Sequence, residues 1–472
     1  MYFILDIMEQ LDLSKVKAWA RAGDTRGRRR YHPEMMVALL LYGYCVGVTS
    51  SRCLERATYE DVAFRVLTAG EHPDHSNISE FRRQNLDALG GLFVQVLGLC
   101  RAAGLVKLGH VSLDGTKFKA NASKHKAMSY DRLKKNEAEL RAVVKKLLEE
   151  AERIDREEDE LYGRDKRGDE LPEEFRTRES RLKKLQEAKA KLEAEAAASR
   201  ARKLKRQAAK AKEKADEAEE EDEKEQAEEK ARQAELQAKI AGRRAERKAR
   251  EAGEPKPDLK PRASDELPSH QVPSEADGKP TAKAQRNFTD PDSRIMKKGN
   301  EYLQGYNCQA VVDASHQVIV GQAVTNQAPD VEHFQPLLAQ VRDNCGVDPK
   351  KVSADSGYWS EENDKYAKDH KIDAHIATER LKHNEKPPPV RGRAPKGLDA
   401  KGWMRRKLRT KRGRETYARR KVIVEPVFGQ TKEARGIRRF LFRGLQKVRG
   451  EWALICATHN LLKLYRARPA PC

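Results

Sequence analysis

The sequence predicts an α/β core, a mixed sheet flanked by helices, with an all-α segment in front of it and a long helical coiled-coil insertion inside it. Three observations predict this. Apolar residues recur at helical spacing through the first hundred positions; short β-type apolar runs follow residue 105 and residue 300; and a charged heptad pattern fills the interval between them.

Residues 1–105 read as helices with the character of a DNA-binding domain. Pro33 suits the first turn of a helix that carries Met35, Met36, Leu39, Leu40 and Leu41 inward. A second helix is expected near Ser50 and Ser51. Asn77 and Glu80 have capping-box spacing, which predicts a third helix running through Phe81, Leu86, Leu92 and Val96 to Gly104. Arg82 and Arg83 on that helix suit either a helix-turn-helix-like reader or an ordinary packing domain. Residues 106–130 open the core, with a strand from Val106 to Leu113 that delivers Asp114 at its end.

Residues 131–253 are the insertion. Leu133, Leu140, Leu147, Ile154 and Leu161 recur every seven positions, with Val144 and Ala151 between them, until Gly163, Gly168 and Pro172 interrupt. A second helical stretch from Glu173 to Ala252 is expected to fold back on the first. Residues 131–250 hold 35 Lys+Arg and 33 Asp+Glu, so the positive excess of the chain lies elsewhere and this arm suits protein contact or spacing. Residues 254–280 contain six prolines and read as an extended, mobile linker. Residues 281–472 complete the core: a hairpin of Gly305–Asp313 and Val318–Val324, a helix from Val331 to Cys345, a strand from Val352 to Asp355, a short strand from Ile372 to Ile376, and basic helices at the end.

With 472 residues the chain can bury a large core, and a formal charge of +21 favours a polyanionic partner. Seven cysteines without a CxxC pair argue against a zinc site or a disulfide framework and for a reducing compartment. The longest apolar run is too short to span a bilayer and no signal pattern opens the chain, so a cytoplasmic location is expected, with no membrane partner.

Asp114 in VSLDGTKFKAN, Asp355 in KVSADSGYW and Glu425 in KVIVEPVFGQTK each sit in a short apolar run. A buried acid needs positive charge against it. Two Mg²⁺ ions would supply it, because hard cations take oxygen ligands and a pair of them can stabilise the attacking and leaving oxygens of a phosphoryl displacement. Residues 401–449 carry 18 Lys+Arg against 3 Asp+Glu, with aromatics interspersed, and form the expected DNA track. Lys117 and Lys119 are expected in the same field. Trp359 suits either base stacking or the core. Asp330, ahead of a helix, reads as an N-cap, and His459 and Asn460 as satisfied polar groups in a packing interface.

Strand, hairpin, helix, strand and a late acid-bearing helix is the order of an RNase H-like fold. The blocks DGTKFKANAS, ADSGYW and VEPVFGQTKEARGIRRFLFRGLQKVRGEWALICATHNLLKL resemble those of IS1182-type transposases, in the IS5/IS4-like DDE group. YHPEMMVALLLYGYCVGVTSSRCLERA and PDHSNISEFRR resemble the helical domain that precedes their catalytic core. The resemblance implies a metal-dependent transposase with Asp114, Asp355 and Glu425 as the DDE triad and metal ligands, using two Mg²⁺ ions or Mn²⁺ as a substitute. It also implies double-stranded DNA, both element ends and target, as partner, and a homodimer in a synaptic complex. Lys432 stands seven residues after Glu425, as in the Tyr-Arg-Glu-Lys signature of that group. The positions four and seven before Glu425 hold Lys421 and Ala418, with Arg420 and Tyr417 one residue further away. The DNA-binding set expected is Lys117, Lys119, Trp359, Arg420, Lys421, Lys432, Arg435, Arg438, Arg439 and Arg443. The abrupt start, MYFILDIMEQLDLS, predicts a shortened amino terminus. Two other readings fit the same residues: an inactive or domesticated DNA-binding or scaffold protein, and a host RNase H-like nuclease.

Overall fold

Pro33, without an N–H to satisfy, opens the most buried helix of the amino-terminal region, and Gly47 in the left-handed conformation closes it. A Cβ at Gly47 would stand 2.5 Å from the carbonyl oxygen of Arg435, so no larger residue fits that stop. The computed structural model describes residues 1–21, 30–162, 173–218, 221–380, 388–395 and 397–468, apart from the side chains of residues 21, 147–162, 173–177 and 179. In order, the first helices are α1 (Tyr2–Met8), α2 (Ser14–Arg21), α3 (Pro33–Val46), α4 (Ser51–Glu60), α5 (Val62–Leu67), α6 (His75–Gln84) and α7 (Leu86–Ala102).

The helix expected from Asn77 to Gly104 is two helices. Asp74, not Asn77, caps α6, accepting from the backbone N–H groups of Ser76 and Asn77, and the chain turns at Asn85 before α7 begins. Arg82 also departs from expectation. It is buried, and its guanidinium donates to the Thr49 carbonyl at 2.7 Å, Ser51 Oγ at 3.0 Å and Tyr44 Oη at 3.2 Å. An arginine committed in this way pins α6 to the turn between α3 and α4, so it reads no DNA groove.

After these helices come β1 (Val111–Lys119), β2 (Ala127–Ser129), α8 (Tyr130–Tyr162), α9 (Glu173–Asp216), α10 (Glu221–Glu251), β3 (Gln285–Asn287), β4 (Arg294–Lys298), β5 (Glu301–Asp313), β6 (Ile319–Thr325), α11 (Phe334–Cys345), β7 (Lys351–Ala354), α12 (Glu361–Asp369), β8 (Asp373–Ile376), α13 (Ala400–Arg409), α14 (Lys411–Ala418), α15 (Arg420–Ile423), α16 (Glu425–Gly429) and α17 (Leu445–Arg466). Among the described residues no single helix is long and apolar enough to cross a membrane.

The long strand β5 organises the main sheet. One edge pairs antiparallel with all of β1, and the other takes β4 against its first half and β6 against its second. β1 then runs parallel to β7, and β7 parallel to β8. β1 starts five residues later than its apolar run suggests, after Leu108 at φ 49°, and extends to Lys119, so Asp114 stands within the strand and not at its end. The nine-residue pairing with β5 is what carries the strand through Gly115 to Lys119.

The chain divides into two compact units. One comprises residues 1–122, 264–269 and 292–472; the other comprises 123–263 and 270–291. The amino-terminal helices therefore share a core with the sheet. Met36, Leu40 and Tyr44 of α3, Leu89 and Phe93 of α7, and Trp452 and Leu454 of α17 belong to the same buried cluster as Val111, Val311 and Ala354. Gly90 and Gly450 let α7 and α17 approach closely, since a Cβ on Gly450 would stand 2.7 Å from Leu86 Cγ.

In the helical unit, Leu133 and Leu140 of α8 meet Leu185, Ala188 and Leu192 of α9. α9 and α10 pack through small residues, Ala197, Ala198 and Ala201 against Ala245. The heptad positions Leu147, Ala151, Ile154 and Leu161 lie outside the described side chains, and Gly163, Gly168 and Pro172 outside the described residues. The expected stretch from Glu173 to Ala252 is divided between α9 and α10. Residues 216–223 hold seven acids in eight positions, unfavourable at the carboxyl end of α9 and favourable at the amino end of α10, where the helix dipole is positive. The Pro-containing segment is packed, not an extended linker: Leu259 is buried with the α9 and α10 alanines, Val272 lies in the α8–α9 cluster, and Leu267 packs on the core of the sheet-bearing unit.

Candidate active site

The parallel pairing of β1 with β7 assembles the acids. Leu113 stands opposite Ala354, so Asp114 and Asp355 are the next residues on two neighbouring strands. Asp355 leaves β7 and caps the turn Ser356–Tyr358, accepting from Gly357 N–H at 2.9 Å. Burial pushes the Asp114 carboxyl up to about 6; Arg420 opposes that rise and Asp355 adds to it. Burial raises Asp355 in the same way, with Asp330 adding to it.

Glu425 joins them through a guanidinium. Arg420 donates to Asp114 Oδ2 at 3.0 Å and to Glu425 Oε1 at 3.2 Å, and it lies 6.0 Å from the ring centre of Tyr417. Residues five apart on an unbroken helix diverge by about 140°. Here the helix is broken: α15 ends at Ile423, and α16 restarts with Glu425 and Pro426 in its first turn. The break brings Arg420 and Tyr417 to the site even though each lies one residue further from Glu425 than the signature spacing. Lys421, at the signature spacing, is exposed.

Past α16, residues 430–434 form a π-helical turn, a local widening often found at functional sites. It holds Lys432, whose ammonium donates to Thr116 Oγ1 and lies 4.8 Å from the ring centre of Phe118. Burial, with Lys298 nearby, lowers the Lys432 ammonium to about 8.

Asp330 holds a different place from the N-cap expected of it. It precedes the turn Val331–His333 but makes no side-chain cap there. Its Oδ1 instead accepts from Asn307 Nδ2 at 2.7 Å, Gln309 Nε2 at 2.7 Å and Lys117 Nζ at 3.2 Å. Gln309 in turn accepts from the buried Tyr358 hydroxyl. Gly115 makes room for this network, since a Cβ there would stand 2.4 Å from Gln309 Nε2 and 3.0 Å from Asp330 Oδ1. The sequence marks Asp330 but offers no reason to join it to Asn307, because strand pairing brings the two together. Lys117, expected on DNA, is committed to Asp330 and to the Ala328 carbonyl at 2.8 Å.

The expected DNA-binding residues separate into two groups. Lys119, Lys421, Arg438, Arg439 and Arg443 are exposed. Lys119 and Arg439 are joined by a backbone bridge, and Arg443 Nε donates to the Asn121 carbonyl at 2.9 Å, which holds these cations near the end of β1. Arg435 must be removed from the set. It is 6% exposed, and its guanidinium donates to Thr431 Oγ1, Thr458 Oγ1 and the Ile455 carbonyl, tying the π-turn to α17. Trp359 is half-buried and packs on the core. His459 and Asn460 are satisfied polar groups, as expected: His459 Nε2 meets the Gln317 carbonyl, and Asn460 bonds both the N–H and the carbonyl of Ile319.

As it stands, the site is an acid pair linked to a third acid by Arg420. Among the described residues no three His, Cys, Asp or Glu side chains are grouped closely enough to ligate a metal directly. The donor chemistry nonetheless fits a hard divalent cation. Its donors are carboxylate oxygens, two of the acids are raised by burial, and the positive charge they call for comes from a guanidinium whose buried Nε has no hydrogen-bond partner.

Residues 270–461 match the family model described as Transposase DDE domain, and residues 3–84 match the one described as Transposase domain (DUF772). No curated protein and no solved structure matches the chain. A transposase DDE domain implies an RNase H-like fold, in keeping with the mixed sheet flanked by helices and the helical amino terminus. The two matches indicate a DDE transposase family of the IS4/IS5/IS1182 type.

Proposed function

We propose that the protein is an IS1182-type cut-and-paste transposase, acting on the terminal inverted repeats of its element with Asp114, Asp355 and Glu425 as its catalytic acids. What supports the reading is the placement of Asp114 and Asp355 on adjacent parallel strands with Glu425 tethered to Asp114 through Arg420, together with the match of residues 270–461, which hold Asp355 and Glu425, to a transposase DDE domain.

The reaction is phosphoryl transfer in two parts. Water first attacks phosphorus at the element end, and the P–O3′ bond breaks to leave a 3′-hydroxyl and a 5′-phosphate. That hydroxyl then attacks a target phosphodiester, forming one P–O bond for the one displaced. Asp114, Asp355 and Glu425 would hold Mg²⁺ or Mn²⁺, which when bound lowers the pKa of the attacking oxygen and offsets charge on the leaving one. Arg420 balances the charge of Asp114 and Glu425 and fixes their separation. Lys432, lowered to about 8 yet still mostly protonated at pH 7, meets a DNA phosphate as a point charge. Lys119, Arg438, Arg439 and Arg443 extend the contact along the backbone. The working form is a homodimer that synapses two ends, in the cytoplasm.

The test is nicking of terminal-repeat DNA with Mg²⁺, with EDTA, and by an Asp355→Asn variant. The expected result is nicking and strand transfer by the wild type with Mg²⁺ only, with DNA binding retained in the variant. Binding without nicking by the wild type would favour a scaffold protein, and nicking without strand transfer a nuclease.

A further inference from the structure

Strand alternation continues the acid face of the sheet upstream. His110 and Ser112 stand in line with Asp114, and Lys351 and Ser353 in line with Asp355. The two rows are joined, with Ser112 Oγ 2.6 Å and His110 Nε2 3.1 Å from Ser353 Oγ. At the upstream end of this polar row a cavity of 260 Å³ is lined by Lys107, His110, Lys351, Thr416 and Arg419.

The charge in this cavity is one-sided. Among the described residues Lys107, Lys351 and Arg419 form no salt bridge. Asp313, the one carboxylate lining the cavity, spends both oxygens internally, Oδ2 on Leu108 N–H at 2.8 Å and Oδ1 on the backbone and hydroxyl of Ser315. Asp373, whose charge Lys351 also feels, is already paired with Lys407 at 2.5 Å. Burial, reinforced by Arg419, His375 and Lys351 and opposed by Asp313, lowers the His110 imidazole to about 4. A concave site lined by three cations against the single carboxylate of Asp313, a net excess of positive charge, suits a phosphate oxyanion.

Four residues separate Lys351 from Asp355 and His110 from Asp114, roughly 13 Å along a strand. Because each step along a B-form strand turns about the axis as well as rising, that distance matches roughly two phosphate-to-phosphate steps. We propose that this cavity is a second phosphate subsite, which takes a backbone phosphodiester of the DNA about two nucleotides from the bond that is broken. The proposal rests on the reading of the acids given above. Free inorganic phosphate has the same chemistry and is the competing occupant.

A Lys351→Gln/Arg419→Gln double variant tests it, measured on the full chain without divalent metal, so that binding is read apart from chemistry. The probe is a short fluorescent duplex of the element end, titrated across a salt series, and tryptophan fluorescence confirms the fold of the variant. The variant should bind several-fold more weakly, and its slope of log affinity against log salt should be shallower by about 0.9, the loss of one neutralised phosphate. A single neutral methylphosphonate about two nucleotides from the nick should weaken wild-type binding several-fold and leave the variant unaffected. Equal slopes, with no methylphosphonate position that separates the two proteins, would overturn the subsite even if the wild type nicks DNA. A wild type that shows the methylphosphonate effect but never nicks would refute the enzymatic reading and leave the subsite standing. If inorganic phosphate shifts the His110 resonances of the wild type alone while both proteins bind the duplex alike, the cavity belongs to free phosphate and the DNA form is wrong.

Discussion

The sheet-bearing unit buries arginines as well as carboxylates, whereas the helical unit, whose buried charged side chains among the described residues are Glu137 and Asp290, is held largely by leucines and alanines. In the first, Arg82, Arg435 and Glu451 lie inside the fold and are hydrogen-bonded there, with only the Nε of each arginine left without a partner: Glu451 accepts from the Leu441 and Phe442 N–H groups and from Tyr44 Oη, and Tyr44 in turn accepts from Arg82. In the second, alanines form the α9–α10 contact and most charged side chains face water. The difference teaches where specificity resides. A buried charge held by several hydrogen bonds tolerates one arrangement of its neighbours, while an alanine face tolerates many.

The four tryptophans, Trp19, Trp359, Trp403 and Trp452, all belong to the sheet-bearing unit, so their fluorescence follows it alone, while far-UV dichroism follows the helices of both units, α8, α9 and α10 among them. The contrast can therefore be tested unit by unit. The largest effect is expected from Arg82→Ala, which leaves Tyr44 and Glu451 short of a buried partner and should cost about 3–5 kcal/mol in urea unfolding followed by fluorescence. Leu192→Ala, at 0% exposure on α9, should cost about 2–4 kcal/mol in the dichroism transition and leave the fluorescence midpoint in place. A shift of both midpoints together would show that the two units unfold as one.

Acid should act more gently, and chiefly on the sheet-bearing unit. Burial lowers His110 and His333 to about 4 and His459 to about 3, below the ordinary histidine value. Each therefore takes up its proton more readily when unfolded, so their contribution to stability is complete above about 6.5 and is lost as pH falls toward 4. His459→Gln, which can keep a donor toward the Gln317 carbonyl, should flatten the fluorescence midpoint against pH across that window. The smallest change is expected on the surface of α10, where Arg232→Ala removes an exposed pair with Glu228 and should move the dichroism midpoint by less than about 0.5 kcal/mol.

The same contrast explains what could be read from the chain beforehand. Asp114 and Asp355 stood out because an acid in a β-type run is costly, and the runs themselves located β5, β6, β7 and β8. What escaped depends on partners distant in sequence. Asp330 looked like a cap because Asn307, Gln309 and Lys117 reach it only through the pairing of β1 with β5. Arg82 and Arg435 looked like surface arginines because nothing local to either marks the oxygens that enclose it. Arg420 and Tyr417 looked misplaced because helical spacing was assumed across a break between α15 and α16 that spacing alone does not reveal. The proline-bearing segment looked loose because Leu259 and Leu267 have no local periodicity to announce burial.

The insertion between β1 and β5 also bears on the ribosome. β1 ends at Lys119, and its partners on both edges begin at Glu301 and Lys351, so the central strand is synthesised long before either neighbour exists. At about 5–20 residues per second, that gap leaves its hydrogen-bonding edges open for roughly 10–40 s. Meanwhile the helices emerging behind it need only near neighbours to form. Nascent chains halted within α10 should therefore carry a formed helical arm and an unprotected strand, the species on which a chaperone would act.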